Sequence, residues 1–357
     1  MRRVFSWIFP ALAVAALVVT LISLIHSDQW WIQVLNFPRL LSLIVIGIIA
    51  LGCAVFFGRS RAGLWLVPVL ATAAALQFWR FYPYVPFAPT EIVAASDLTS
   101  GGTVIEDASC FTLLGLNVLQ HNRQYDRTIA LIEREQPDIL LLMETDGKWT
   151  RALAPVLSAY PHTLLRPIDN TYGLIFASKL PVRSAKTENI TDQDTPTVYA
   201  GLTTRDGQPF DYIGLHPRPP RPGQDTDLRD RKIAHAALRI TDNDLPALAM
   251  GDFNDVAWSR TTSLFKQVGG YLDPRIGRGS YPTFPADYAS VGWPLDQLFL
   301  SPDFTFRSLR VLEDVGSDHR PLAAQVCLAP ELARLANTSA ENPDPATREA
   351  VRAMTRQ

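Results

Sequence analysis

Residues 5–25, 40–58 and 62–79 form three runs without a single Asp, Glu, Lys or Arg, and no other feature narrows the possible folds of this chain as much. Each run approaches or exceeds the roughly 18 apolar residues that a helix needs to cross a bilayer. A cleaved signal peptide would account for the first, which follows Arg2 and Arg3, but not for the other two. Buried core helices would need polar faces that these runs hardly show. The first 80 residues are therefore expected to be a membrane anchor of three transmembrane helices.

Loop charge orients the anchor. Arg2 and Arg3 precede the first run, and Arg59 and Arg61 fill the turn between the second and third. The positive-inside rule puts both places in the cytoplasm. The loop with Asp28, Trp30 and Trp31 is then outside, and its tryptophans suit a membrane interface. Three spans carry everything after Arg80 across. The expected localisation is an inner or plasma membrane, with the N-terminus cytoplasmic and the rest of the chain periplasmic or exterior.

Residues 81–105 read as a linker, with Pro83, Pro86 and Pro89 ahead of Ser100, Gly101 and Gly102. Residues 106–328 then show regular patterning. Strands are expected over 111–118, 139–143, 174–177, 197–203, 211–215, 247–250, 297–300 and 322–328, with helices over 124–135 and 228–240. Short apolar runs in which strands outnumber helices indicate α+β or α/β, with sheets between helices. Residues 329–357 read as a polar, alanine-rich peripheral tail.

Several of these runs end on an acid, amide or imidazole: Leu116-Asn117, Met143-Glu144, Gly251-Asp252-Phe253-Asn254 and Ser317-Asp318-His319-Arg320-Pro321. Carboxylates and amides at strand ends can converge on one hard divalent cation, and a neighbouring histidine can handle protons or a phosphoryl oxygen. Gly-Asp-Phe-Asn alone is a weak signal. With Ser-Asp-His-Arg-Pro downstream, Glu144 upstream and Leu295-Asp296 before a strand, it resembles the endonuclease/exonuclease/phosphatase superfamily with the DNase I-like fold.

The resemblance covers about 111–328 and implies a four-layer α/β sandwich, two packed mixed β-sheets flanked by helices. It implies a Mg²⁺ or Mn²⁺ site at Glu144, with Asn117 beside it and Asp318 as a further carboxylate. By the same likeness Asp252 orients or activates the attacking water, Asn254 holds the substrate phosphate or that aspartate, and His319 contacts the scissile phosphate, oriented by Asp296. His216 corresponds to the family's second histidine, which binds phosphate oxygen or protonates the leaving group. The following Pro217-Arg218-Pro219-Pro220-Arg221 departs from the family pattern. If His216 is in place, Arg218 and Arg221 lie close enough to help clamp an anion. Otherwise they belong to a solvated loop.

Substrate is less constrained. Gln297 replaces the histidine or tyrosine of many nucleases of this family, and the stretch from Asn254 to Asp296 is short for substrate-reading loops. Between 106 and 328 acidic residues outnumber basic ones, so no broad basic face for duplex DNA is evident. The reading is a membrane-tethered, metal-dependent phosphodiesterase, nuclease-like, that uses in-line attack by water. The alternatives are a phospholipid or sugar-phosphate phosphodiesterase or phosphatase, and a non-catalytic membrane scaffold. The partners expected are a nucleic-acid or phospholipid-headgroup phosphodiester and the bilayer itself; no protein partner is inferable.

Of three cysteines, Cys53 lies within the second run as a packing residue. The resemblance makes the strands bearing Cys110 and Cys327 antiparallel neighbours, with both residues at about the same distance, ~23–26 Å, from the site. They are either a disulfide or two unrelated buried thiols.

Overall fold

The computed structural model describes residues 2–57, 60–99, 105–191, 194–240, 245–288 and 291–356. The chain opens with α1 (Arg2–Ile22), a short α2 (Trp30–Gln33), α3 (Arg39–Phe57) and α4 (Arg61–Phe81), followed by α5 (Ala95–Thr99). Among the described residues two helices are long and apolar enough to cross a membrane, Arg39–Phe57 and Gly63–Tyr84. The expected three are thus two by this measure, because the described apolar stretch of α1, Trp7–Ile22, is shorter. Arg59, one basis of the expected orientation, lies outside the described residues.

The three helices pack on Ala13, Ile46, Ile49, Cys53, Leu66, Leu70 and Ala73 and leave large apolar side chains such as Leu51, Val55, Leu64 and Trp65 exposed. At one end a polar chain crosses the bundle. Arg39 donates to Gln77 Oε1 at 2.8 Å and to Asn36 Oδ1 at 2.6 Å, and Gln77 donates to Thr20 Oγ1 at 3.2 Å.

Among the described residues eleven strands follow: β1 (Cys110–Asn117), β2 (Ile139–Met143), β3 (His162–Arg166), β4 (Leu174–Ser178), β5 (Val182–Glu188), β6 (Thr197–Thr203), β7 (Pro209–Leu215), β8 (Ala247–Asp252), β9 (Asp296–Leu300), β10 (Phe304–Val311) and β11 (Leu322–Leu328). They form a six-stranded sheet ordered β10-β11-β1-β2-β4-β3 and a five-stranded sheet ordered β5-β6-β7-β8-β9. Both sheets are mixed: β1/β2 and β7/β8 are parallel and the other pairs antiparallel.

Alternation along the strands builds the layers. Ile139, Leu141 and Met143 of β2 face the inter-sheet core with Tyr212, Leu248 and Met250, while Leu140 and Leu142 face outward. There they meet α6 (Tyr125–Glu135) and α7 (Gly147–Leu157) through Leu131, Ile132, Trp149 and Leu153. Because both faces of β2 are buried, its sequence is continuously apolar. The outer face of the second sheet, with Ile213, Ala249 and Phe299, is covered by α8 (Asp227–Ile240) and α9 (Arg260–Gly269). The four-layer arrangement is the one expected.

Two expectations for connecting segments need correction. The described part of the 81–105 linker is packed: Ile92 is fully buried in the inter-sheet core, Ala94 bridges Phe306, and Glu91 pairs with Lys266. The tail carries two helices, α10 (Pro330–Ala336) and α11 (Pro345–Arg356), and buried Val351 of α11 joins the core under α8.

Cys110 and Cys327 face each other in the β1/β11 register and form a disulfide, with Cα atoms 3.9 Å apart at a sequence separation of 217. Closing so long a loop restricts the unfolded chain, and such bonds contribute about 2–5 kcal/mol. Replacing both cysteines with alanine should lower the guanidinium unfolding free energy by that amount. An unchanged midpoint under non-reducing conditions would show that the bond does not contribute.

Candidate active site at the strand ends

The two parallel pairs end at the same place in the sandwich. Asn117 pairs with Met143 in one sheet and Leu215 with Gly251 in the other, so Glu144, His216 and Asp252 follow directly from adjacent strand ends. The antiparallel neighbours begin there: Asp296 opens β9 opposite Asp252, and Asp318 and His319 lie just ahead of β11. Glu144 (φ 62°) and Asn254 (φ 48°) adopt the left-handed region that non-glycine residues rarely enter. Gly251 has φ 146°, and a Cβ there would lie 2.0 Å from the Leu215 carbonyl oxygen. Only glycine lets this parallel pair end so closely.

Asn117 Nδ2 donates to Glu144 Oε1 at 3.0 Å and to Asp252 Oδ2, from the other sheet, at 3.1 Å. Its own Oδ1 accepts from the Leu119 backbone, so Asn117 braces two carboxylates and does not turn its oxygen to a common centre. Glu144 Oε2 accepts the Gln120 N–H at 3.1 Å. Burial raises the Glu144 carboxyl above its ordinary range, and Asp252 repels it further, against the pull of these two donors. The Asn254 backbone N–H holds Asp252 Oδ1 at 2.8 Å, while its side-chain Nδ2 donates to the Pro217 carbonyl at 2.9 Å. It is thus the Asn254 backbone, not its side chain, that contacts the aspartate.

Asp252 Oδ2 lies 3.6 Å from His319 Nε2 and 3.7 Å from His216 Nε2. The two imidazoles differ in charge. Burial alone would depress His319, but Asp296, 2.7 Å from Nδ1, together with Asp252 outweighs burial and raises it to about 10. His216 has no such carboxylate behind it, its Nδ1 finds no partner, and burial takes it down to about 4. At neutral pH His319 is a cation and His216 is neutral.

These residues line a cavity of about 330 Å³ that also includes Asp318, Arg221, Tyr172, Phe284 and Trp293. A larger cavity of about 550 Å³ lies between the end of α4 and α9, but the acids and imidazoles described above do not line it. Arg221 lines the 330 Å³ cavity, whereas the Arg218 guanidinium lies over the Tyr172 ring, 5.0 Å from its centroid. Gln297, instead of facing the cavity, donates to the Asp255 carbonyl and accepts from Arg275.

Sequence patterns did not single out several supports. Ser317 Oγ donates to the Asn117 carbonyl at 2.6 Å and accepts the His319 N–H, Thr283 Oγ1 accepts the Asp296 N–H, and Gln120 Oε1 accepts the Thr171 N–H. Ser317 could have been found, since it sits in the motif; Thr283 and Gln120 have no local signature.

Among the described residues, no three His, Cys, Asp or Glu side chains form a cluster tight enough to hold a metal ion alone. Glu144, Asp252 and Asp318 nevertheless repel one another, and among the described residues no lysine or arginine forms an ion pair with any of them. Such an oxygen-rich set, with His319 as its nearby positive partner, suits Mg²⁺, which keeps several waters and needs only one or two carboxylates besides substrate oxygens.

The family model described as Endonuclease/Exonuclease/phosphatase family matches residues 114–319. No curated protein matches the chain. Among solved structures, D. rerio TDP2 complexed with single-strand DNA product superposes with a TM-score of 0.52 at 16% identity, covering 61% of this chain and 99% of that one. The mannosyl-6-phosphatase of Bacteroides thetaiotaomicron superposes at 0.51 and 16%, covering 60% of this chain and 99% of that one. At such identities these likenesses establish the fold.

The neutral His216 sets a pH dependence of stability. Its folded pKa lies below the unfolded value of 6.5, so the unfolded chain binds the extra proton first. Stability is retained above pH 6.5 and is lost as pH falls toward 4, by ~3 kcal/mol at most. His216→Gln should flatten the pH 4–7 profile of urea unfolding; an unaltered slope would contradict this assignment.

Proposed function

The chain belongs to the endonuclease/exonuclease/phosphatase family, and from that premise we propose that it is a membrane-tethered phosphoesterase that hydrolyses phosphodiester bonds by in-line attack of water. The observation that carries the reading is the placement of Asp252 Oδ2 between a charged and a neutral imidazole, beside carboxylates with which, among the described residues, no lysine or arginine forms an ion pair. Two titratable groups pushed in opposite directions within one cavity are what acid–base chemistry at neutral pH requires.

Glu144 and Asp318 would hold a Mg²⁺ or Mn²⁺ ion, with Asn117 bracing Glu144. Bound there, the ion would act as a Lewis acid on a phosphoryl oxygen. Asp252, fixed by Asn117 and by the Asn254 N–H, orients a water and accepts its proton. His319, kept cationic and aimed by Asp296, binds a non-bridging phosphate oxygen. His216 and Arg221 complete the anion site, with His216 at the leaving-group oxygen. Arg218, stacked on Tyr172 beside His216, positions that histidine's loop.

The apolar helices support tethering, and the Cys110–Cys327 disulfide supports an oxidising compartment for the catalytic domain. An oxidising compartment agrees with an extracytoplasmic active site; with a cytoplasmic N-terminus, that placement requires α1 as a third span.

Activity and topology are tested separately. The full chain should hydrolyse bis(4-nitrophenyl) phosphate with Mg²⁺ or Mn²⁺ and stop in excess EDTA. Glu144→Ala and His319→Ala should each lower kcat by about 10²–10⁴ with the circular dichroism spectrum retained. Full activity in EDTA excludes the metal, and full activity in both variants excludes the site. For topology, a reporter fused after Ala95 should be active only if it requires export; a cytoplasmic signal reverses the orientation.

A further inference from the structure

The catalytic cavity is not built by the sandwich alone. Val34 and Phe37, from the segment between α1 and α3, line it together with Asp252 and His319. That segment is fastened down. Trp258 Nε1 donates to the Asn36 carbonyl at 2.7 Å, the Thr226 N–H to the Asp28 carbonyl at 2.7 Å, and the Trp30 N–H to Asp225 Oδ1 at 3.0 Å. Phe37 is buried, and α3 begins two residues later with Arg39, itself fixed to Asn36 and Gln77.

A file of rings runs from this segment to the catalytic imidazole. The centroids of Phe37 and Trp293 are 6.3 Å apart, those of Trp293 and Phe284 6.3 Å, and those of Phe284 and His319 4.9 Å. Leu295 and Val34 extend the same apolar lining. One end of this wall lies against His319, the side chain expected to contact phosphate, and the other lies just ahead of a helix apolar enough to span a bilayer. A sugar against it would leave its hydroxyls without partners, whereas an alkyl chain would need none. The exposed aromatic side chains Trp31, Trp79, Tyr82 and Phe87 belong to the segments that flank the helix ends, where an interface would lie.

We propose that the substrate is lipid-borne: its phosphoester is joined to a long apolar chain, and that chain lies along Phe37, Trp293 and Phe284 between the site and the bilayer. The inference rests on the phosphoesterase reading above and specifies its substrate class. The reaction remains hydrolysis. The oxygen of water bonds to phosphorus, the bond from phosphorus to the leaving oxygen breaks, and the protons of water pass to that oxygen and the product phosphate.

Two diesters with the same 4-nitrophenolate leaving group separate the two ideas. Full-length protein in non-ionic detergent is given methyl 4-nitrophenyl phosphate or hexadecyl 4-nitrophenyl phosphate, and kcat/KM is read from nitrophenolate release. The hexadecyl ester should be favoured by about tenfold or more. Phe37→Asn should bring the ratio close to one, and Phe37→Leu should restore it. Hydrolysis of neither ester sinks the phosphoesterase reading itself. Equal hydrolysis of both leaves that reading standing and overturns the lipid assignment, as does a preference that Phe37→Asn leaves intact. Should Phe37→Asn not fold, Val34→Asn carries the same comparison.

Discussion

The amino group of Asn117 is where the two sheets are tied at their functional end. It donates to Glu144 on its own sheet and to Asp252 on the other, at 3.0 and 3.1 Å, and its backbone carbonyl is held by Ser317. Two carboxylates that repel one another are thereby kept side by side by a neutral donor. A lysine in that place would neutralise the pair and remove the attraction for an external cation. An amide supplies geometry and leaves the negative charge available, and through Ser317 it also sets the height of His319.

What distinguishes the two histidines is not their distance to Asp252, which is nearly the same, but what lies behind each ring. Asp296 stands behind His319 and Tyr172 beside His216, with ring centroids 5.3 Å apart in the latter pair. Burial disfavours the charged form of both rings; the carboxylate behind His319 outweighs it, and nothing equivalent does so for His216. One oxygen thus faces two chemically different partners of the same residue type.

Much of this was legible where burial and chain chemistry coincide. Ile139–Met143, Thr197–Thr203 and Leu322–Leu328 were bounded as observed, because they are almost wholly buried and end at polar or turn residues. The strand-end residues of the site were legible for the same reason. The strands at His162–Arg166 and Val182–Glu188 were not, since they are largely exposed sheet edges whose order comes from the neighbouring strand. The helix at Gly147–Leu157 was obscured by Pro155; it starts because Asp146 accepts two backbone N–H groups. Nothing near Phe37 in sequence indicates Trp293, and the turn of the Asn117 amide towards carboxylates is decided by residues on four separate strands and loops. Contacts of that range leave no periodic trace.

The pairing of β1 with β11 bears on how the molecule comes into being. β1 is an interior strand of the six-stranded sheet, yet one of its two neighbours is the last strand made, and Ile92 just ahead of it enters the same core. Through most of synthesis β1 therefore has a vacant edge, and the core above it stays open. Closure must wait for a contact more than two hundred residues distant, a loop whose entropy slows folding. Under the proposed tethering, the helices before it would keep this unfinished sheet from diffusing freely while it waits, and would limit encounters between incomplete chains during the interval when their strand edges are most adhesive.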